Sequence, residues 1–204
     1  MIFVTSDTHF FDANMLNQQN FAPERYEFFY TQNMNQKIIE AWNLVVSAND
    51  TVYHLGDIGV FYKNGSKEEM LDILNSLNGN IIFIKGNHDS RDFFKFLAQN
   101  NYQSENKQVK FAFEDIGAYF KYNHRQFYLT HYPMLFGVSK NIINLHGHVH
   151  HYSINQKENI NVGIDSADFD YFFTNDKPTF GSPLSMSQIE FLIKAKRDDF
   201  NKRK

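Results

Sequence analysis

The sequence predicts an α/β fold with a layered core. Four short apolar runs have the composition of buried strands: IFVTS at 2–6, TVYHLG at 51–56, IIFIK at 81–85 and IINLHG at 142–147. Segments with helical spacing of apolar residues lie between them, and this alternation is typical of α/β proteins. The chain has 204 residues, of which 42% are hydrophobic, so we expect one domain with a sizeable core.

The first helix is predicted over residues 27–47 by apolar residues at spacings of three and four: Met34, Ile38, Trp42 and Val45. A second helix begins at Ser66, which has capping-box spacing with Glu69, and ends at the sequence NGN. A third, RDFFKFLAQ, follows Asp89, which we expect to cap it or to orient His88.

The later part of the chain has a different pattern. The short aromatic runs VKFAF, AYFKYN and QFYLT, between residues 109 and 130, predict antiparallel sheet, with a turn at NHRQ. Ser185 and Gln188 have capping-box spacing at the start of a last helix. The basic stretch at about 197–204 is interpreted as a solvated helix end and tail.

Composition limits the classes of partner. Twenty Lys and Arg against 23 Asp and Glu give a net charge of −3, which argues against a nucleic-acid polymer as partner. The chain lacks cysteine, so any metal ligands must be nitrogen or oxygen atoms. We find neither a signal sequence nor an apolar run of membrane-spanning length, and a cytoplasmic protein is expected. The sequence leaves the oligomeric state open.

Ionisable and amide side chains follow most of the predicted strands. In α/β sheets the carboxyl ends of strands form ligand sites, so residues far apart in sequence can converge there. Glycines at 56, 86 and 147 would let the backbone turn sharply and approach a ligand closely. The residues of this predicted site are Asp7, His9, His54, Asp57, Asn87, His88, Asp89, His131, His148 and His150.

We interpret four of these residues as two pairs of metal ligands. Asp7 with His9, and His148 with His150, are two residues apart and would point to the same side of an extended segment. Imidazole, carboxylate and amide oxygen together suit Mn, Fe or Zn. His124, His146 and His151 are expected to be bystanders.

Five blocks in this order resemble the signature of the calcineurin-like metallophosphoesterases: Asp7-x-His9, Gly56-Asp57, Gly86-Asn87-His88-Asp89, His131 and Gly147-His148-x-His150. The phrases DTVYHLGD and NVGID are similar to those of a compact bacterial and phage branch of that family. The resemblance implies a sandwich of two mixed β-sheets flanked by helices, in αββα order, with a metal site at the carboxyl ends of the strands.

The resemblance also implies roles for the residues. One divalent metal ion would be held by Asp7, His9 and His150, a second by Asn87, His131 and His148, and Asp57 would bridge them. Mn is the expected metal, with Fe, Zn and Ni as alternatives. A hydroxide between the metals would attack the phosphorus of a small phosphodiester or phosphomonoester, and His88 would assist. His54 and Asp89 would orient neighbouring groups.

The sequence departs from the pattern of relatives in two segments. Val60 stands where the protein serine/threonine phosphatases have a second aspartate, so the resemblance to that branch fails. Phe11 and Asp12 replace a Gly-His pair, which leaves the substrate pocket undefined. Two alternative functions stay open: a nuclease of the same family, and a non-catalytic metal-binding scaffold or interaction module.

Overall fold

The computed structural model describes residues 1–63, 65–103, 107–137 and 141–203, which form two β-sheets and four α-helices. The strands are β1 Ile2–Thr5, β2 Thr51–His54, β3 Asn80–Ile84, β4 Phe111–Glu114, β5 Gly117–Tyr122, β6 Arg125–Thr130, β7 Ile142–His146, β8 Asn159–Asn161 and β9 Leu184–Ser185. The helices are α1 Thr31–Val45, α2 Lys67–Ser76, α3 Arg91–Gln99 and α4 Met186–Lys202.

Both sheets are mixed, and the predicted sandwich of two mixed sheets flanked by helices is confirmed. The first has the strand order β4-β3-β2-β1-β9, in which β1 to β4 are parallel and β9 runs antiparallel to β1. The second has the order β5-β6-β7-β8, in which only the β5–β6 pair is antiparallel. A bridge between Ser6 and Gly163 joins the end of β1 to the end of β8. The carboxyl ends of strands from both sheets therefore meet.

The interpretation of residues 109–130 as one antiparallel unit was wrong for its first run. β4 pairs parallel with β3 in the first sheet, because α3 carries the chain back between them. Its Phe111 and Phe113 pack against Phe83 of β3. The other two runs form the predicted hairpin, whose turn residues Asn123 and His124 have φ values of 45° and 62°.

Alternating residues of β1 face two separate cores. Phe3 packs with Trp42 of α1 and other residues of the first three helices on one face of the first sheet. Val4 faces the second core, where it meets Phe127 of the second sheet and Leu192 of α4. The first sheet is thus buried on both faces, which fixes the register of its strands and the places where they end.

Serines begin three of the helices. Ser66 accepts a hydrogen bond from the Glu69 backbone N–H at the start of α2, at 3.1 Å. Before α4, Ser185 and Gln188 form the predicted capping box. This helix continues to Lys202, so most of the basic C-terminal stretch is helical. None of the helices in the described part of the chain has the length and hydropathy needed to cross a bilayer.

Replacing Ser185 with Ala should destabilise the fold. The substitution removes the oxygen that accepts from the Gln188 backbone N–H. We expect the free energy of unfolding to fall by about 1 kcal/mol, the usual effect of losing a serine cap, in urea unfolding followed by circular dichroism. The exposed Lys194→Ala, further along the same helix, is the control and should change stability by less than about 0.5 kcal/mol. Equal losses in the two variants would contradict the capping role.

Candidate metal centre

The loops that follow five strands bring the predicted site residues together. Asp7 and His9 follow β1, Asp57 follows β2, and the Asn87-His88-Asp89 segment follows β3 of the first sheet. From the second sheet, His131 follows β6, and the pair His148 and His150 follows β7.

The backbone at these residues is left-handed rather than extended. The φ values are 58° at Asp7, 48° at His9, 55° at Asp57, 72° at His148 and 47° at His150. The extended pairing expected for Asp7 with His9 and for His148 with His150 was therefore wrong, because each pair follows a strand end in a tight turn. Non-glycine residues in this region are strained and concentrate at functional sites.

Asp7, His9 and His150 form one candidate group of metal ligands, which we call subsite 1. One donor atom from each residue lies within 4.8 Å of the other two, and all three residues are buried. The His148 backbone N–H donates to both Asp7 carboxylate oxygens, at 3.1 and 3.0 Å. The carboxylate from the first sheet is thus fixed by a loop of the second.

A second candidate group, subsite 2, contains Asn87, His131 and His148, with Asp57 at its edge. Donor atoms of Asp57, His131 and His148 again lie within 4.8 Å of one another. The Asn87 Oδ1 atom is 2.8 Å from Nε2 of His131 and 2.9 Å from Nδ1 of His148. The predicted amide ligand therefore lies between the two imidazoles of its subsite.

The Asp57 carboxylate lies between the two subsites. Its Oδ2 atom is 3.6 Å from Nε2 of His9 in subsite 1 and 3.4 Å from Nε2 of His131 in subsite 2. The other oxygen, Oδ1, accepts a hydrogen bond from the His88 backbone N–H at 2.8 Å. One oxygen is thus tied to the protein, while the other faces both groups, as a bridging ligand requires.

Two glycines are required by close approach of the backbone to these carboxylates. A Cβ atom at Gly86 would lie 2.2 Å from Oδ1 of Asp57, and one at Gly147 would lie 2.2 Å from Oδ2 of Asp7. Neither contact is tolerable, so a side chain at either position would displace a candidate ligand.

Sequence reasoning missed three residues behind subsite 1. Nδ1 of His9 donates to Asp12 at 3.0 Å, and Nδ1 of His150 donates to Asp165 at 2.9 Å. The third is Arg25, whose Nε donates to Asp165 at 2.6 Å. In both histidines this leaves Nε2 as the atom that faces the centre, the arrangement by which carboxylates orient metal-binding imidazoles. Asp12 belongs to the departure Phe11-Asp12 and Asp165 ends the phrase NVGID, so both lay within segments that the sequence had marked.

Asp89 does not cap α3. Ser90 does, by accepting from the Phe93 backbone N–H at 3.1 Å. The Asp89 carboxylate instead accepts from three backbone N–H groups, those of Gly86, Asp57 and Ile58. It turns towards this loop because the tight turn at Asp57 leaves those donors without strand partners. Asp89 therefore holds the backbone of the candidate bridging residue.

His54 contacts the residue between two candidate ligands. Its Nε2 lies 2.9 Å from the Thr8 hydroxyl, which itself donates to the carbonyl of Ile58. Burial lowers the pKa of His54 to about 3, so the ring is neutral and donates to Thr8. Thr8 follows Asp7 and precedes His9, which agrees with an orienting role for His54.

The three expected bystander histidines lie outside the two groups. His146 is buried at the end of β7, with Nδ1 2.9 Å from the Gly147 carbonyl. His151 pairs with Glu24 at 2.9 Å, and His124 occupies the hairpin turn.

Carboxylates and imidazoles of the centre shift each other's pKa values. Burial raises the pKa of Asp57, but the hydrogen bond and charge of His131, the charge of His9 and the His88 backbone N–H together outweigh it, and the net pKa lies well below its usual range. Burial lowers the pKa of His150, but the charge and hydrogen bond of Asp165 together with the charge of Asp7 raise it above the ordinary value. The pKa of His9 is lowered, mainly by burial. The Asp57 carboxylate is therefore ionised near neutral pH, as a metal ligand must be.

The donor set fits divalent cations. Four buried carboxylates lie at the centre, those of Asp7, Asp12, Asp57 and Asp165. Among the described residues, Arg25 is the one permanent cation buried with them. An excess of buried negative charge requires cations. Nε2 of His9 is also buried, without a hydrogen-bond partner in the described part of the chain. Nitrogen and oxygen donors of this kind suit Mn, Fe and Zn.

Comparison with known proteins identifies the family. A model of the calcineurin-like phosphoesterases matches residues 1–186, a range that includes every strand and all of the candidate ligands. The chain belongs to the calcineurin-like phosphoesterase family. This assignment confirms the resemblance found in the sequence, and it supports a metal-dependent phosphoester hydrolase. It also implies divalent metal ions, for which the two candidate groups provide places.

Two similar proteins can be named, and the second of them supports the fold. An uncharacterized protein of Methanocaldococcus jannaschii, MJ1445, is 33% identical over 138 residues, which are 66% of this chain and 74% of that protein. The crystal structure of AQ665 from Aquifex aeolicus, a protein of unknown function, has a TM-score of 0.64 at 24% identity. The match covers 94% of this chain and 98% of that one, and shows the same fold.

Changing Asp57 to Asn should weaken metal binding at both subsites. The variant removes the negative charge between the two histidine groups, and even the loss of a partner behind a ligand commonly costs about 10–100-fold in metal affinity. We expect a loss of at least about tenfold for each metal equivalent, measured by calorimetric titration with Mn. Asp50→Asn, at the other end of β2, is the matched control and should keep both equivalents. Unchanged Mn binding in Asp57→Asn would refute the bridge.

Proposed function

We propose that this phosphoesterase uses two divalent metal ions to hydrolyse a small phosphodiester or phosphomonoester. The position of Asp57 Oδ2 between subsites 1 and 2, 3.6 Å from His9 and 3.4 Å from His131, is the observation that carries the proposal. A single-metal site would need only one of the two groups. Both groups of residues are present in this chain, and the same carboxylate oxygen, Oδ2 of Asp57, faces both of them.

The chain's own residues divide the work. Asp7, His9 and His150 would hold one metal ion, Asn87, His131 and His148 the other, and Asp57 would contact both. Bound together, two such metals supply an activated water and neutralise the charge that develops on the phosphoryl oxygens. The proposed metal is Mn, and Fe, Zn or Ni are compatible with the same donors.

In this proposal His88 acts on the substrate and does not bind metal. Its ring is exposed and stands edge-on to the ring of His9, with centroids 5.2 Å apart. Its backbone N–H donates to Asp57 Oδ1, so the backbone of His88 is fixed relative to the centre. From this position the ring could donate a hydrogen bond to a phosphoryl oxygen or a proton to the leaving group.

The surface around the centre favours a small substrate. Asn87 and His88 are exposed and His148 is half-buried, so the centre opens towards solvent on this side. The net charge of −3 provides no extended field for a polyanion. A short ester can reach the metals from this face without a groove that follows a nucleic-acid backbone.

The substrate class can be tested with three kinds of ester in parallel. Protein stripped with a chelator and then given Mn would be assayed on p-nitrophenyl phosphate, bis-p-nitrophenyl phosphate and a panel of cyclic nucleotides. The proposal predicts hydrolysis of at least one of these, lost on chelation and restored by Mn. Protein that binds no Mn and stays inert would overturn it. Cleavage confined to oligonucleotides, with a steep dependence on salt, would assign a nuclease instead.

His88→Ala should separate turnover from metal binding. Because His88 is not a proposed ligand, we expect the variant to bind two equivalents of Mn normally. The turnover number should fall by about 10²–10⁴, the usual effect of removing a general acid or base. The exposed His124→Ala in the hairpin turn is the control and should have unchanged turnover. Loss of Mn from His88→Ala would make His88 a ligand and contradict the assignment.

A further inference from the structure

Arg25 is a fully buried guanidinium in the connection between β1 and α1. It ends a short 3-10 helix, Pro23–Arg25, and its side chain is 0% exposed, as is that of its ion-pair partner Asp165. A charge is seldom buried so completely unless a specific arrangement of acceptors surrounds it. The pair joins two segments that are 140 residues apart in sequence.

Three oxygen acceptors surround this guanidinium, and its Nη1 also lies 3.7 Å from Sδ of Met34. Nε donates to Oδ2 of Asp165 at 2.6 Å, and Nη1 donates to the Thr8 carbonyl at 3.1 Å. Nη2 donates to the carbonyl of Asp7. The planar fork of arginine can reach all three at once, which a single ammonium group cannot do.

Each acceptor leads to a different member of subsite 1. The Asp7 carbonyl belongs to one ligand, and the Thr8 carbonyl forms the peptide bond to His9, the second. Oδ2 of Asp165 also accepts from Nδ1 of His150, the third, at 2.9 Å. Both backbone contacts fall within the left-handed turn at Asp7 and His9, where φ is 58° and 48°. The guanidinium therefore stabilises the strained backbone that presents these two side chains.

Subsite 2 is held by other groups. Nδ1 of His131 donates to the Leu55 carbonyl at 2.9 Å, and the loop at Asp57 is held by Asp89. Among the described residues, Arg25 donates no hydrogen bond to a residue of subsite 2. The two halves of the centre thus have different main supports, one ionic and one formed largely by backbone groups. They meet at Asp57 and at the His148 backbone N–H that donates to Asp7.

We propose that Arg25 is a positioning residue for subsite 1, one guanidinium that fixes all three of its ligands and acts on subsite 2 little or not at all. This inference rests on the proposed metal centre. It implies in addition that the metal affinity of subsite 1 can be changed without changing that of subsite 2. Arg25 does not touch the substrate or the metals, and it acts through Asp7, Thr8 and Asp165.

Mn titration in two backgrounds tests the proposal. His131→Ala disables subsite 2 and leaves subsite 1, whereas His9→Ala does the reverse. Adding Arg25→Lys keeps the charge but loses the fork. In the His131→Ala background it should raise the dissociation constant for Mn by about 10–100-fold, the range typical for partners behind metal ligands. In the His9→Ala background the change should stay well below about tenfold, the lower end of that range.

Controls keep the outcome interpretable. Arg125→Lys makes the same substitution at the Arg125–Glu190 pair and should alter neither background. Circular dichroism without metal checks that each variant folds. If Arg25→Lys does not fold, Asp165→Asn replaces it in the titration, because this variant keeps the side-chain shape and one oxygen acceptor. It should show the same selective loss of Mn affinity at subsite 1. An equal loss of Mn affinity at both subsites, or no loss at subsite 1, would overturn the role of Arg25 and leave the metal centre unaffected. A wild-type chain that binds no Mn would overturn the metal centre as well.

Discussion

The Asp57 carboxylate lies between histidines that come from two different β-sheets, and the loops around it are arranged accordingly. His88 and Gly86 approach it from β3, one through a backbone N–H and the other through the absence of a side chain. Asp89 holds its backbone N–H. Because one oxygen must face both subsites, the ends of the parallel strands in both sheets have to meet at this point. The bridge between Ser6 and Gly163 provides that junction.

Burying so many ionised groups in one place costs stability unless each is compensated. The fold compensates subsite 1 with Arg25 and with paired imidazoles, and it compensates the loop at Asp57 with backbone N–H groups. The remaining negative charge and the left-handed backbone at five candidate ligands are features that cation binding would offset. The site therefore contributes little to folding by itself and depends on the two apolar cores for its rigidity.

Much of the architecture was predictable from the sequence, because buried strands and capped helices leave local patterns. The four apolar runs became β1, β2, β3 and β7, and the motif residues at their ends lie together. Short strands were not predictable: β8 has three residues and β9 has two, too few for any periodicity. Nor does an aromatic run distinguish a parallel strand such as β4 from an antiparallel one. Arg25 and Asp165 were missed because their pairing depends on tertiary structure alone, across 140 residues.

The central claim is that this centre binds two metals that share Asp57. Crystals of the protein grown with Mn, measured for anomalous scattering, test it most directly. The account predicts two anomalous peaks roughly 3.5–4 Å apart, the spacing of two-metal hydrolases, with Asp57 Oδ2 between them. One peak should contact Asp7, His9 and His150, and the other Asn87, His131 and His148. A single peak, or two peaks that do not share Asp57, would contradict it.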